Sequence, residues 1–165
     1  MTSATATARK QAATIQGFLR SNLYLPALQA RRKSSVLEEM VQALVPAGIT
    51  RHPEVVLDLL GQREALGSTA IGRGVAVPHA RSMVIAERAV LVARSARGVD
   101  FEGPDEKPVQ LFFLIVAPAM DHDPIYLQLL AEIVRAIRLA KTRQRLLEAP
   151  DFQSVQEALI HAAVE

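Results

Sequence analysis

The sequence predicts an α/β domain with a mixed central β-sheet flanked by helices on both faces. The chain has 165 residues, which is about the length of one domain. Half of its residues are hydrophobic and 22% are charged, a composition typical of a globular protein with a buried core. The spacing of apolar residues is helical at first, becomes extended after about residue 70, and is helical again near the end.

The first half of the chain predicts a short helix or docking arm followed by two helices. Thr14 to Leu25 carries apolar residues at near-helical spacing. Ser34 or Ser35 is a predicted N-cap with Glu38 as its capping-box partner, and an amphipathic helix then runs to Pro46. Pro53 suits the first turn of a second helix, which leads into a glycine-rich loop at residues 67–74.

The second half predicts strands and then closing helices. The stretch from Val109 to Val116 is almost wholly apolar, which favours a central strand buried on both faces. The other predicted elements are extended pieces at 75–77, 89–93 and 99–101 and helices at 125–139, 141–147 and 154–163. No internal repeat of 20–50 residues is present, so a solenoid is not expected.

The leading segment is basic. Residues 1–37 contain six basic and no acidic side chains. We interpret residues 1–14 as a flexible, solvated arm and residues 15–165 as the domain. A basic leader can also contact nucleic acid or an acidic partner, and its Ser, Thr and Ala content loosely resembles a transit peptide.

Several classes of protein are excluded by composition. The chain has no cysteine, which rules out disulfides and cysteine-based zinc sites or nucleophiles. Its longest apolar run, Leu111 to Met120, is far shorter than the ~20 residues of a membrane-spanning helix, so membrane insertion is not expected. Few aromatic residues and no tryptophan argue against a nucleic-acid stacking surface.

Two motifs that could hold a cofactor or metal fail on inspection. Gly67 and Gly72 have the glycine spacing of a P-loop, but Arg73 and Gly74 stand where that motif needs Lys and Ser or Thr. The cluster at 121–123 has adjacent acidic and histidine residues, which rarely converge on one ion. We therefore expect no cofactor and no metal.

His79 is the leading candidate for chemistry. Pro78 before it has a fixed φ and no amide donor, so a stiff backbone places the imidazole at the end of a strand. A neutral imidazole is a nucleophile when one nitrogen is oriented by a hydrogen bond, and Ser68, Thr69 and Arg81 nearby suit a phosphoryl group. A structural histidine is the other interpretation that local composition allows.

The stretch from Arg63 to Arg81, REALGSTAIGRGVAVPHAR, closely resembles a known signature. It is that of the fructose, mannitol and nitrogen-regulatory type of enzyme IIA domain in the phosphoenolpyruvate-dependent phosphotransferase system. The run ending at Pro118, the helix that follows it and the Arg-Gln-Arg-Leu-Leu segment at 143–147 resemble that family too. The similarity extends from about residue 23 to about residue 163.

The resemblance implies a cytoplasmic phosphotransferase component of the nitrogen-regulatory type. His79 would accept a phosphoryl group through Nε2 from a histidine-containing phosphocarrier protein and pass it on. Arg63 would lie near the site and help to hold the phosphate. Further partners would be a separate IIB protein, a transporter or a sensor kinase.

The sequence departs from the family pattern at the helix after Pro118. Many members have a second active-site histidine there, and this chain has Tyr126. His122 lies four residues earlier and could take its place, or the Tyr126 hydroxyl could donate a hydrogen bond to the phosphate. The alternative function is a regulatory protein that binds a transporter or sensor kinase with weak or no phosphorylation.

Overall fold

The computed structural model describes residues 15–120 and 125–162, and for Ile125 only the backbone. The predicted arm at 1–14 and the acidic cluster with His122 lie outside the described residues. Contacts between residues divide the chain into two compact units. The sheet unit comprises residues 20–122, and the helical unit comprises residues 1–19 and 123–165.

The sheet unit contains one mixed sheet. Its strands among the described residues are β1 (Tyr24–Leu25), β2 (Ala70–Gly72), β3 (Val75–Ala76), β4 (His79–Ser82), β5 (Ala89–Val99) and β6 (Val109–Pro118). The order is β1-β5-β6-β3-β2, and β4 also pairs with β6. The β5–β6 and β2–β3 pairs are antiparallel, whereas the β1–β5, β3–β6 and β4–β6 pairs are parallel. The predicted α/β fold with a mixed central sheet is confirmed.

β6 is the central strand of this sheet. All residues from Leu111 to Ala117 are buried, so side chains on both faces of the strand are covered. An almost continuous apolar run produces this arrangement, because alternate side chains of a strand point to opposite faces. The predicted buried strand at 109–116 is confirmed.

Two helices of the sheet unit pack against one face of the sheet. They are α1 (Lys33–Ala43) and α2 (Pro53–Ala65), and a short 3₁₀ helix lies at Ser21–Leu23. Their buried side chains form one core with alternate residues of β5 and β6, including Val36, Met40, Val56, Leu60, Leu91, Phe112 and Leu114. Pro53 occupies the first turn of α2, as predicted, because its missing amide donor has no partner to lose there.

The predicted capping box of α1 is wrong. The helix begins at Lys33, its N-cap is Arg32, and no side chain caps it. Arg32 is extended and forms an isolated parallel bridge with Asp100. The extended segment therefore reaches Arg32, and the helix begins at the next residue. Ser34 and Ser35 therefore lie within the first turn.

The described part of the helical unit contains a helical turn and three longer helices. Residues 15–18 are helical, followed by α3 (Ile125–Arg138), α4 (Ala140–Glu148) and α5 (Phe152–Ala162). The three numbered helices contact one another pairwise. Asp151 caps α5, because its carboxylate accepts hydrogen bonds from the amide and hydroxyl of Ser154. Within the described residues no helix is both long enough and apolar enough to cross a membrane.

Candidate functional site

His79 is the first residue of β4, immediately after a break in the strand. β3 and β4 both run parallel to β6, and Val77 and Pro78 separate them. The carbonyl of Pro78 accepts a hydrogen bond of 3.0 Å from the amide of Ile115. Because proline has no amide donor, the ladder is interrupted on one side only, and His79 pairs in register with Ile115.

A backbone carbonyl orients the imidazole of His79. Its Nδ1 atom lies 2.9 Å from the carbonyl oxygen of Val77. A carbonyl oxygen can only accept, so this contact assigns the proton of the neutral ring to Nδ1. The lone pair of the neutral ring then resides on Nε2, which is the nitrogen that a nucleophilic attack needs.

His79 and Arg81 lie on the same face of β4. The burial of this strand alternates: His79 is half-buried and Arg81 exposed, whereas Ala80 and Ser82 are buried. Ala80 belongs to the core that α1 and α2 share with the sheet, so the alternation places the other two side chains on the opposite face. The structure therefore brings Arg81 to the same face as the imidazole.

The loop at 67–69 lies beside the strand that holds His79. The amide of Val77 donates a 3.0 Å hydrogen bond to the carbonyl of Thr69, which continues the β2–β3 ladder beyond both strands. The Ser68 hydroxyl donates to the carbonyl of Phe101, and the Thr69 hydroxyl donates to the carboxylate of Glu64. Both predicted hydroxyl residues therefore lie in the loop beside the segment that leads to His79. Their hydroxyls donate hydrogen bonds that fix the conformation of this loop.

Arg63 holds the start of the same loop. It is half-buried in the last turn of α2, and its Nη1 donates a 2.8 Å hydrogen bond to the carbonyl of Gly67. A basic side chain in this position also interacts favourably with the helix dipole. A guanidinium has five N–H donors, so binding one carbonyl does not exhaust its capacity to bind an anion.

Glu64 is a residue of this region that sequence reasoning missed. Its side chain is only 6% exposed, and it accepts hydrogen bonds from the amide and hydroxyl of Thr69. Lys33 Nζ lies 2.7 Å from its Oε2 atom. An acidic residue directly before the glycine-rich loop could have indicated this role. The sequence did not show its partner, because Lys33 lies on another helix.

The glycines at 72 and 74 form a hairpin turn instead of a phosphate-binding loop. Gly72 pairs with Val75, and Arg73 and Gly74 between them both have positive φ, as a two-residue type I′ turn requires. The carboxylate of Asp105 accepts a 2.7 Å hydrogen bond from the Arg73 amide. This bond lowers the pKa of Asp105 below its ordinary value.

The family of the chain follows from a match over most of its length. Residues 18–162 match the family model of the phosphoenolpyruvate-dependent sugar phosphotransferase system, EIIA 2. The chain belongs to this EIIA 2 family. The resemblance of the segment from Arg63 to Arg81 is thereby confirmed, and the chain is a phosphocarrier component of a phosphotransferase system.

Relatives of this EIIA 2 domain include both regulatory and sugar-specific proteins. A nitrogen regulatory protein of Bradyrhizobium diazoefficiens is 38% identical over 139 residues, covering 82% of this chain and 87% of that protein. A fructose-specific EIIA component of Haloferax volcanii is 35% identical over 127 residues, covering 77% and 82% respectively. The crystal structure of the nitrogen regulatory protein IIA-Ntr from Neisseria meningitidis matches with a TM-score of 0.80 and 26% identity, covering 88% of this chain and 98% of that one.

The predicted site residues of this EIIA 2 domain fall into two groups. Those in the sheet unit lie at the end of α2, in the loop that follows it or on β4: Arg63, Ser68, Thr69, His79 and Arg81. Tyr126 belongs to the helical unit, where it is the second residue of α3 and is buried. His122 lies outside the described residues. The roles of all seven in phosphoryl transfer stay predictions.

Proposed function

We propose that His79 is the residue that carries the phosphoryl group in this phosphotransferase component. It accepts the group on Nε2 from a histidine-containing phosphocarrier protein and passes it to the next protein. The observation that supports this role is the 2.9 Å contact between His79 Nδ1 and the carbonyl oxygen of Val77. This contact selects the tautomer in which Nε2 holds the lone pair.

The transfer exchanges one nitrogen–phosphorus bond for another. The Nε2 lone pair attacks the phosphorus atom of the donor's phosphohistidine and forms the new N–P bond. The donor's N–P bond breaks, and its electron pair returns to the imidazole nitrogen of the donor. The Nδ1 proton stays on His79, where the carbonyl dipole of Val77 stabilises the positive charge that develops on the ring.

Two basic side chains of the same region suit the product. A phosphoryl group carries about two negative charges on three acceptor oxygens. Arg81 lies on the same face of β4, and Arg63 lies at the end of the loop beside the strand. Charge-assisted hydrogen bonds from guanidinium groups are among the strongest that proteins form with phosphate.

The relatives favour a regulatory setting for the phosphoryl group. We propose a nitrogen-regulatory type of cytoplasmic component, because the nitrogen regulatory relative shares 38% identity over 139 residues. The fructose-specific relative shares 35% identity over 127 residues, so the proposal also includes a role in sugar transport. The receiving partner would be a separate IIB protein, a transporter or a sensor kinase.

A second candidate function is favoured by Tyr126. In the resembling family a second histidine often stands at this position, and a phenol cannot offer a positively charged donor as imidazolium can. In this candidate the domain binds a transporter or sensor kinase and takes up phosphate slowly or not at all.

Phosphate uptake measured by intact mass at neutral pH tests the proposal. The wild-type chain is incubated with a phosphorylated phosphocarrier protein, and we expect it to gain one phosphate, whereas His79→Ala gains none. His52→Ala is the matched control, because His52 is exposed before α2 and contacts the exposed Glu54. Uptake by His79→Ala at the wild-type rate would contradict the proposal. Uptake by Tyr126→His together with none by wild type would favour the regulatory candidate.

A further inference from the structure

We propose that Glu64, held by Lys33, is a positioning residue for His79 and acts through the backbone of Thr69 and Val77. This inference rests on the proposed function of His79. The inference is based on a continuous series of polar contacts within the sheet unit, which runs from the Lys33–Glu64 ion pair to the imidazole of His79.

The first step is the ion pair. Lys33 Nζ lies 2.7 Å from Glu64 Oε2, and the two side chains are 19% and 6% exposed. The ammonium also lies 4.7 Å from the ring centroid of the buried Phe101 and 3.4 Å from the carbonyl oxygen of that residue. A charge in this environment is tolerated only when it is paired and hydrogen-bonded, so the position of the Glu64 carboxylate is closely defined.

The second step is the loop. The Glu64 carboxylate accepts hydrogen bonds from both the amide and the hydroxyl of Thr69, the amide at 3.1 Å from Oε2. Thr69 is 5% exposed, and its amide and hydroxyl would each lose a buried acceptor without the carboxylate. Ser68 is fixed by its hydrogen bond to the carbonyl of Phe101, which also lies near Lys33. The ion pair therefore determines where residues 68 and 69 lie.

The third step connects the loop to the imidazole. The Thr69 carbonyl accepts from the amide of Val77 at 3.0 Å, and the Val77 carbonyl lies 2.9 Å from His79 Nδ1. Val77 is buried, and Pro78 after it has no amide that could anchor this segment in the ladder. The Thr69–Val77 hydrogen bond therefore restrains the peptide segment that orients the histidine.

The consequence for the reaction is specific. Loosening the loop lets the Val77 carbonyl move away from Nδ1, so the neutral ring populates the tautomer with its proton on Nε2. That tautomer has no lone pair at the proposed attacking atom. The Glu64 side chain is only 6% exposed, so its loss is expected to slow the transfer step without weakening the encounter with the phosphocarrier protein.

Glu64→Gln is the principal variant for the test. It keeps the shape of the side chain but replaces one acceptor oxygen with a donor that faces Lys33 or Thr69. Asp58→Asn is the matched control on the same helix, because Asp58 is exposed and accepts only a hydrogen bond from Gln62 among the contacts described. A second variant, Thr69→Val, removes the hydroxyl donor while retaining the amide.

Two measurements are made on each variant. The first is the ¹⁵N spectrum of the His79 ring at a pH where the ring is neutral, recorded without phosphocarrier protein, which reports the tautomer directly. The second is the single-turnover rate of phosphate uptake as a function of phosphocarrier concentration, expressed per folded molecule. The spectrum is informative even if another residue proves to be the phosphoryl acceptor, so a failure of the proposed function is distinguishable from a failure of this inference.

We expect Glu64→Gln to give a mixture of tautomers and to lower the saturating rate about 10- to 100-fold, with the half-saturating concentration unchanged. Thr69→Val should show the same changes to a smaller extent, and Asp58→Asn should match wild type. The inference is overturned if Glu64→Gln and Thr69→Val both keep the wild-type tautomer. It is equally overturned if their loss of rate appears only in the half-saturating concentration.

Discussion

Replacing Lys33 with methionine isolates the charge that compensates Glu64. Methionine keeps most of the apolar stem of lysine, so the packing at the start of α1 changes little. Among the described residues, Lys33 is the cation paired with the Glu64 carboxylate, whose side chain is 6% exposed, so the substitution leaves a nearly buried charge without that partner. The predicted result is a large loss of folding free energy.

The magnitude follows from the contacts that stay in place. Removing one member of a buried ion pair costs about 3–5 kcal/mol. Thr69 still donates two hydrogen bonds to the carboxylate, and Lys33 is 19% exposed, so we expect about 2–3 kcal/mol, below the full range. Arg20→Met provides the comparison, because the Arg20–Glu87 pair has side chains 38% and 50% exposed. Its loss should cost less than about 1 kcal/mol.

Urea unfolding measures both changes. The free energy of unfolding is extrapolated linearly to water, and an unchanged m-value shows that the surface exposed on unfolding is the same. Added salt at about 1 M should remove most of the Arg20 effect and little of the Lys33 effect, since exposed pairs are screened more strongly. A Lys33→Met variant within about 0.5 kcal/mol of wild type, the range of ordinary surface substitutions, would refute the reasoning.

Three further predictions concern other parts of the chain. Gly98→Ala should lower the free energy of unfolding by about 2–4 kcal/mol, because Gly98 has a φ of +75° and an added Cβ would lie 2.7 Å from Pro108; a loss below about 1 kcal/mol in urea unfolding would contradict this. The amide of Arg73 lowers the pKa of Asp105, so the stability from this bond is present above the ordinary value of 3.8 and is lost as the pH falls through the folded-state pKa. Acid titration of unfolding should therefore be flatter below about pH 4 for Asp105→Asn, and identical profiles would contradict the assignment. Tyr126→His should raise the rate of phosphate uptake measured by intact mass and Tyr126→Phe should not, since only imidazole can offer a charged hydrogen bond; equal rates would argue against a role for this position.

Much of the fold was predictable because its signals are local. β6 was predicted from an almost wholly apolar run, which favours a strand buried on both faces, and α2 from Pro53 at its start. β5 extends to Val99, whereas the prediction ended at residue 93. The second half of the strand was missed because it is partly exposed and rich in polar residues. The parallel pairing of β1 with β5 joins residues almost 70 positions apart, and no local pattern specifies it.

The site was predictable to a similar degree. The Pro-His pair and the Arg63–Arg81 signature identified His79 as a candidate, and its place after a break in the strand follows from Pro78. The acceptor for Nδ1 is a backbone carbonyl, which has no sequence signature. Glu64 was missed because its importance depends on Lys33, which lies on another helix.

Locating the phosphate on the chain tests the central claim most directly. Wild-type protein is phosphorylated by a phosphocarrier protein, digested at neutral pH to find the modified peptide, and examined intact by ³¹P and ¹⁵N NMR to identify the modified nitrogen. The account predicts one phosphate, on His79, bonded to Nε2 while Nδ1 keeps its proton. Phosphate on Nδ1 of His79, or on His52, His122 or His161 with His79 unmodified, would contradict it.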